Sequence, residues 1–591
     1  MDNITRDATN FILNEKEFHL GFLPTEQPHS TTKGLAEIIA HNLEEGIGLL
    51  QKVDTDIIAT AERVSASKEY TRLVAALITA LTNRKKICFS GCGATGRLAI
   101  LLESMCRKFC RNAQKISSIP LLQERENIFL SIMTGGDYAL VRSVESFEDY
   151  ESFGRQQARE SGIGTGDLLI AVTEGGETSS VIGTAKEALT LGAQVFFACN
   201  NPPQLLAKHI ERSRQIIEDP RVTVLDLSSG PMALAGSTRM QATTSELLLL
   251  GAALETAITQ FLHPHISQKT SQTIHLTSIE PQRYAADFAM LLNNLANPKT
   301  VTAMAQWAEM ESSLYNARGA ITYFNEEFLL DIFTDTTERA PTFSWPPFRK
   351  YDDTLSPRPL AFAKNPLLST PDTWNYMLKR EPRCLSWDST LYKKLRASEQ
   401  IIANPPSLTT TELYKFLIGN EKDFSRINSS HDTAIIVLAG KEWKEFHPFA
   451  FNKILASINR MNFPSSHFII IGEEKNIALE GTCYHIPCDP KPSILQLWEH
   501  LAIKIIFNTV STATAAKTGR VINNWMAFVE TTNKKLIDRG TRLISELSGI
   551  SYEQACWELH KTFALLKQNP MPEGKRISPV AATLKRIQQK P

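Results

Sequence analysis

Between Thr32 and Leu81 apolar residues return every three or four positions, as in "LAEIIAHNLEEGIGLL" and "TRLVAALITAL", the period of a helix that buries one face. The rhythm then switches. "KICFSG" (86–91), "IFLSIMTGG" (128–136), "DLLIAV" (167–172), "QVFFACN" (194–200) and "VTVLDL" (222–227) are short apolar runs that predict strands. Between them lie helical patterns: "GRLAILLESMCRKF", the polar "VESFEDYESFGRQQARES", and "SSVIGTAKEALTLG", whose last glycine suits a helix end. "RMQATTSELLLLGAALETAITQFL" closes the unit as a long helix. Strands alternating with helices imply a parallel sheet covered on both faces, with ligands bound beyond the carboxyl ends of the strands.

A fainter second cycle follows. "GAITYF" (319–324), "TAIIVLAG" (433–440), "HFIIIGEE" (467–474) and "TCYHIP" (482–487) read as strands separated by longer, proline-studded stretches. The turn after "GAITYF" is "NEEF", without Gly or Ser, so this sheet is expected to have lost a phosphate-type loop. "TFSWPPFRKY" is either a domain-packing loop or a partner surface. From Leu501 onward the pattern is helical to the end, and the basic tail "PMPEGKRISPVAATLKRIQQKP" is expected to be partly mobile. The expected architecture is α/β: two doubly wound parallel sheets flanked by helices, with a helical C-terminal lid. The expected units are 1–270, 271–507 and 508–591.

The segments at the predicted strand ends carry the chemistry. "GCGATGR" follows the first strand and opens a helix, so Gly93, Ala94, Thr95 and Gly96 present backbone N–H groups to an anion. A dinucleotide is disfavoured, because no acidic residue ends the second strand to take a ribose. "TEGGETSS" supplies Thr173, Gly176, Thr178 and Ser179 at another helix start, where hydroxyls and N–H groups can hold phosphate without a lysine. Helix capping explains Thr178 or Ser179 equally well. "AGSTRM" offers Ser237, Thr238 and Arg239, whose planar fork suits phosphate or carboxylate. In "RSVESFED", Glu145 and Glu148 stand three apart on one face of a predicted helix, placed either to meet sugar hydroxyls and move a proton or to face solvent.

Lys+Arg and Asp+Glu both number 63, which argues against a broad nucleic-acid or anionic-membrane surface. The nine cysteines are scattered without a CxxC and without histidines at ligand spacing, so reduced cytosolic thiols are expected and no metal or cofactor. The N-terminal residues lack the apolar core of a secretory signal. "ELLLLGAALETAITQFL" holds two glutamates and falls short of a bilayer span, so a cytoplasmic protein is expected.

Taken together these loops resemble sugar isomerase (SIS) domains, and more narrowly the N-acetylmuramic acid 6-phosphate etherase family with its relatives, the glucokinase regulatory proteins. "LPTEQPHSTTKGLAEI" (23–38) resembles the family's Leu-x-Thr-Glu opening, "GCGATGRLA" its Gly-x-Gly-Thr-Ser-Gly-Arg-Leu loop, and "GGDYALVRSVESFEDY" its Val-Glu-x-x-Glu-Asp segment. "GPMALAGSTRM" is nearly a motif copy, and 508–544, from Asn508, resembles the family's Asn-x-x-Ser-Thr…Asn-x-Lys-Leu…Arg tail. The resemblance covers 23–265 and 500–565. About 240 residues separate the two parts, as in the two-SIS regulatory proteins, which bind fructose phosphates and inhibit a sugar kinase; in the etherases the tail follows the single SIS domain directly.

Of the two etherase glutamates, the resemblance places one at Glu145 and the other at Met105. Loss of one member of an acid/base pair costs ~10²–10⁴ in rate, which favours binding over lyase chemistry. The family's Ser-x-Ser-Gly-x-Thr loop reads Thr173-Glu174-Gly175-Gly176-Glu177-Thr178 here. A carboxylate ~4 Å from an anion costs several kcal/mol in a protected pocket, unless it points outward. Positive charge is expected from Arg239 and from Lys504, reaching in from the lid. The resulting expectation is a sugar-phosphate sensor with a sugar kinase as possible partner. The alternative is an N-acetylmuramic acid 6-phosphate etherase-type lyase with Glu145 as base. An aldose–ketose isomerase would want a histidine, and His209 is the nearest.

Overall fold

The computed structural model describes residues 3–117, 122, 125–144, 147–266, 280–475, 477, 479–529, 531, 533–568 and 578–589. The first sheet holds β1 (Ile87–Gly91), β2 (Phe129–Met133), β3 (Leu168–Thr173), β4 (Gln194–Cys199) and β5 (Val222–Asp226), ordered β2-β1-β3-β4-β5. Every pairing is parallel; Ile87 of β1, for instance, stands between Phe129 and Leu168. The second sheet holds β6 (Ile321–Phe324), β7 (Ala361–Lys364), β8 (Thr433–Ala439), β9 (Ser465–Gly472) and β10 (Thr482–Pro487), ordered β10-β9-β8-β6-β7 and again wholly parallel. Counted from each unit's own first strand, both sheets run 2-1-3-4-5, so the architecture is repeated. In this order the connection reverses between the first and third strands, which opens the crevice where ligands sit.

Two helices bind the parts together. Gln241–Leu262 is buried at every position except Gln260, and Leu497–Lys517 at every position except Lys504 and Lys517. A helix apolar on all sides must be surrounded. Leu497–Lys517 packs against Gln241–Leu262 of the first unit and against Pro298–Asn316 and Leu329–Phe343 of the second. It also runs through the expected boundary at 507/508, so the lid has no separate start there. Gln241–His265 has the length and hydropathy of a membrane span, but 94% of its apolar 18-residue window is buried inside the protein.

Several expectations need correction. Among the described residues of 142–150 there is no α-helix; the helix starts at Glu151, and the Glu148 carbonyl accepts the N–H of Ser180. The loop is drawn over the start of Ser179–Thr190 because the helices Glu151–Glu160 and Ser179–Thr190 touch backbone to backbone. A Cβ on Gly154 would lie 1.7 Å from the Ser180 carbonyl oxygen, and one on Gly183 2.1 Å from that of Glu151. β7 was not anticipated: its four residues "AFAK" end in Lys364, which is buried with its ammonium donating to the Leu417 carbonyl. The C-terminal region contains a short antiparallel hairpin, Val521–Ile522 with Trp525–Met526, before the helices Lys534–Ser548, Tyr552–Gln568 and Pro579–Gln588. The basic tail is therefore helical over Pro579–Gln588, while 569–577 lie outside the described residues. In "TFSWPPFRKY", Phe343, Trp345 and Phe348 are buried, so most of this stretch is domain packing, with Tyr351 exposed.

The glycine crossing gives a direct check. Gly154→Ala is expected to destabilise the protein by about 3 kcal/mol, the upper end of overpacking costs, because the obstacle is backbone. Chemical denaturation of the variant measures it.

Candidate functional site

The carboxyl ends of β1, β2 and β5, one helix of the second unit and the lid together enclose a cavity of ≈ 540 Å³. The first sheet contributes Cys92 and Gly93 after β1, Thr134 after β2, and Gly236–Arg239 after β5. The second unit contributes Thr337, Glu338 and Pro341 from Leu329–Phe343. Asn533, Lys535 and Arg539 descend from the lid helix. Gly93 has φ +58° and open space where a side chain would project, as a backbone approached by a ligand requires. The Ser237 hydroxyl and the Arg239 Nε are buried without a protein partner at this cavity.

Four cations at or beside the cavity, Arg97, Arg239, Arg539 and Lys535, are each matched by a carboxylate from another part of the chain. Arg97, wholly buried, ion-pairs with Glu338 of the second unit and donates to Thr337 Oγ1 at 3.1 Å. Arg239 donates to Asp335 at 2.8 Å, to Ser511 Oγ at 3.1 Å and to Thr512 Oγ1 at 3.0 Å. Arg539 binds Glu26 through two contacts of 2.9 and 2.6 Å, and Arg542 adds a third at 2.9 Å. Lys535 donates to Glu177 at 3.0 Å, and Arg212 to the same carboxylate at 2.7 Å. Burial opposes ionisation of Glu177, but Lys535 and Arg212 outweigh it and hold its carboxyl at about 2. For Glu26, too, burial is outweighed, and Arg539 and Arg542 hold its carboxyl well below the usual range. An ammonium has three donors and Glu177 takes one, so Lys535 keeps capacity for an anion in the cavity.

The family-like opening segment acts here as a clamp. Thr25 N–H donates to Asn201 Oδ1 at 3.1 Å, and Asn201 Nδ2 returns to Thr25 Oγ1 at 2.9 Å and reaches the Gly175 carbonyl at 3.1 Å. Glu26, the next residue, holds the two lid arginines. The segment thus ties the lid to the loop after β3.

Of the residues expected at the site, Gly93, Glu148, Ser237, Thr238 and Arg239 line the cavity. Glu148 accepts from Asn533 Nδ2 at 2.5 Å. Ala94, Lys504 and Asn508 line a separate chamber of ≈ 40 Å³ between the units. Thr95 is a capping residue: its hydroxyl accepts from Cys92 N–H at 3.0 Å and donates to the Cys92 carbonyl at 2.8 Å. Gly96 serves close packing, because a Cβ there would meet Met133 at 2.7 Å. Thr173, Gly176, Thr178 and Ser179 do not line the cavity. Thr173 donates to Thr178 Oγ1 at 3.1 Å, and Gly176, at φ +74°, has room only for its hydrogen against Leu206. Glu145 lies outside the described residues. Met105 is buried away from this cavity, and His209 packs on Phe22 with ring centroids 4.6 Å apart.

Two charge expectations change. The carboxylate held by Arg239 is the protein's own Asp335. Lys504 does not reach the cavity: its ammonium donates to the Arg239 carbonyl at 2.9 Å, Thr244 Oγ1 at 2.8 Å and Asn508 Oδ1 at 2.9 Å. Burial pulls Lys504 down to about 7 against the opposing charge of Asp54. Lys535, Arg539 and Asn533 line the cavity from outside the expected set, although they stand in the Asn-x-Lys-Leu…Arg segment. Glu338 had no signal, because its role depends on the second unit meeting the first.

Neither loop glutamate lines the cavity. Glu177 faces Arg212 and Lys535; Glu174 is buried, with its Oε1 unpartnered. At the matching end of the second sheet, Glu442 takes the place an anion would have. It accepts from the N–H groups of Glu326 and Glu327 at 3.0 and 2.9 Å and from Asn325 Nδ2 at 2.6 Å.

A switch-point cavity with backbone N–H groups, hydroxyls and lid cations suits a small, hydroxyl-rich anion. Residues 69–189, within the first unit, match the family described as the glucokinase regulatory protein N-terminal SIS domain. Among curated relatives, the N-acetylmuramic acid 6-phosphate etherase of Petrotoga mobilis is 26% identical over 39% of this chain and 67% of its own length. The enzymes of the same name from Pseudothermotoga lettingae and Clostridium acetobutylicum are 28% and 29% identical, each over 39% of this chain and 68% of their own length. The chain therefore spans about two thirds of these relatives, and they span well under half of it.

Removing Glu26 leaves two lid arginines without their buried carboxylate. Glu26→Ala is expected to cost about 3–5 kcal/mol, read by denaturation, since stranding a buried charge costs more than the pair contributes. The carboxyl is depressed in the fold, so its contribution in the native protein is full above pH about 4.5 and fades as pH falls below it.

Proposed function

We propose that this chain is a sugar-phosphate-binding protein whose ligand sits in the shared cavity and biases how the two α/β units and the lid sit together. The single observation behind this reading is the composition of that cavity: first sheet, second unit and lid each supply part of the wall. A ligand touching Gly93, Ser237, Glu338 and Lys535 at once binds best in one relative arrangement of their parents, and only such differential binding can drive a response. The SIS family match, the etherase relatives and the lid cations support a phosphorylated sugar. Lys535 is assigned to the phosphate, Ser237 and the backbone around Gly93 to anion or hydroxyl contacts, and Glu148 and Glu338 to sugar hydroxyls. Control of a sugar kinase is the finer part of this reading and rests on the resemblance to two-SIS regulatory proteins.

The second reading is a carbon–oxygen lyase acting on N-acetylmuramic acid 6-phosphate. It is favoured by the names of the relatives and by the presence of two carboxyls, Glu148 and Glu338, in the cavity wall. Met105 stands against it, where the resemblance asks for the second acid.

A thermal-shift panel of hexose and amino-sugar phosphates is expected to raise the melting point, because ligand bound only by the folded state stabilises it. Lys535→Met is expected to weaken binding by about 10–150-fold, the worth of a hydrogen bond to a charged group. A panel without any shift at millimolar concentration contradicts the reading. Steady D-lactate release from N-acetylmuramic acid 6-phosphate, lost in Glu145→Ala, replaces it with the lyase.

A further inference from the structure

Arg142, Arg239, Lys535 and Arg539 line the cavity, and three of them are already committed to carboxylates of the fold. Arg239 holds Asp335 at 2.8 Å, Arg539 holds Glu26 at 2.6 Å and Lys535 holds Glu177 at 3.0 Å. Arg142 differs. It is partly buried, and among the described residues its guanidinium has no hydrogen bond, no ion pair and no aromatic ring beneath it. A guanidinium offers five N–H donors and accepts nothing, so only an acceptor satisfies it, and an anion best of all.

A partly buried arginine can simply stay hydrated. Two other groups in the same wall cannot. Ser237 and Arg239 are each 4% exposed, and the Ser237 hydroxyl and the Arg239 Nε lack protein partners. Buried polar groups are ordinarily hydrogen-bonded, so these two mark where oxygen atoms of a ligand belong. The Nε–H can only donate, and it therefore asks for an acceptor, as Arg142 does.

Arg142 is also held in place by its backbone. It follows the buried turn Tyr138–Val141, and its N–H donates to the Tyr138 carbonyl at 3.3 Å. Both units fix that turn. Asp137 N–H donates to the Arg383 carbonyl of the second unit at 3.0 Å, and Arg97 of the first donates to the Ala139 carbonyl at 3.3 Å. Just upstream, Gln157 bridges Gly135 N–H at 3.2 Å and the Met133 carbonyl at 2.7 Å. Val141, Ser143 and Val144 line the cavity beside Arg142. The backbone that carries this charge is thus fixed before any ligand arrives, which lowers the cost of ordering on binding.

We propose that Arg142 is the specificity-determining residue of the cavity: it binds the anionic group of the ligand, and its charge separates a phosphorylated sugar from a neutral one. A phosphate seated on Arg239 or Arg539 competes with Asp335 or Glu26, whereas at Arg142 it displaces only water. The planar fork takes two phosphate oxygens at once. Lys535 assists with the donors that Glu177 leaves unused. The assignment deepens the sugar-phosphate reading and rests on it for the sugar, but not for the anion.

The test uses the full chain, as wild type, Arg142→Gln and Arg142→Lys. Without ligand, the melting points of wild type and Arg142→Gln are expected to coincide, because the substitution strands no partner. A melting point lowered by several degrees exposes a structural role for the charge and overturns the assignment. Inorganic phosphate, added with sodium chloride holding the ionic strength constant, is expected to stabilise wild type and to stabilise Arg142→Gln much less. Equal stabilisation overturns the assignment.

Fructose 6-phosphate and fructose are then titrated. Arg142→Gln is expected to bind fructose 6-phosphate about 10–150-fold more weakly than wild type, the worth of a hydrogen bond to a charged group. Fructose is expected to give the same response in both proteins. Arg142→Lys, which keeps the charge without the fork, is expected to fall between the two. Unchanged affinity for fructose 6-phosphate in Arg142→Gln overturns the assignment and leaves the sugar-phosphate reading intact. An equal loss for fructose, or an equal loss in both variants, shows that Arg142 shapes the wall rather than reads charge, and overturns it too. If inorganic phosphate stabilises wild type through Arg142 while sugar phosphates bind no better than phosphate alone, the anion site stands and the sugar reading falls. If wild type responds to neither, both fall.

Discussion

Buried charge has to be neutralised where it stands, and this architecture uses that constraint to join its parts. Arg97 finds Glu338, Arg239 finds Asp335, Lys535 finds Glu177, and Arg539 finds Glu26. In every pair the partners come from different parts of the chain: first sheet and second unit, first sheet and lid, lid and N-terminal segment. Each pair is costly to break because the surviving charge stays buried. The cavity exists where these pairs converge, and its shape is fixed by them more than by any single loop.

The repeated 2-1-3-4-5 sheets set off what has diverged. Both keep a crevice between their first and third strands. In the first unit it is open, and the glutamates nearby turn to Arg212, Lys535 and the interior. In the second, Glu442 accepts the very N–H groups that would face an anion. The same chemical group, a glutamate following the third strand, stays out of the cavity lining in the first unit and, as Glu442 in the helix Gly440–Lys444, serves as an internal ligand in the second.

Much of this was readable from the residues. Nine of the ten sheet strands announce themselves as apolar runs, because a parallel strand buried on both faces can tolerate little else. β7 escapes since it is four residues long and ends in a lysine whose ammonium is satisfied by a carbonyl. The sequence before Glu151 has helical composition, but among its described residues no α-helix forms, and the Glu148–Ser180 hydrogen bond and the Gly154–Gly183 crossing fix where the helix begins. The site was half legible. Gly93, Ser237, Thr238 and Arg239 follow from loop chemistry, and the lid motif contained Lys535 and Arg539. Which partner each charge takes was not legible: pairing is a property of packing between distant segments, as Lys504 illustrates by capping carbonyls at Arg239 and Met240.

The most direct measurement is hydrogen exchange of the full chain with and without a hexose phosphate. A ligand bound in the shared cavity slows exchange together in segments 91–97, 236–239, 337–342 and 533–539, all four of which line it. Protection confined to one of these segments, or appearing instead at the second sheet around Glu326 and Glu442, contradicts the account.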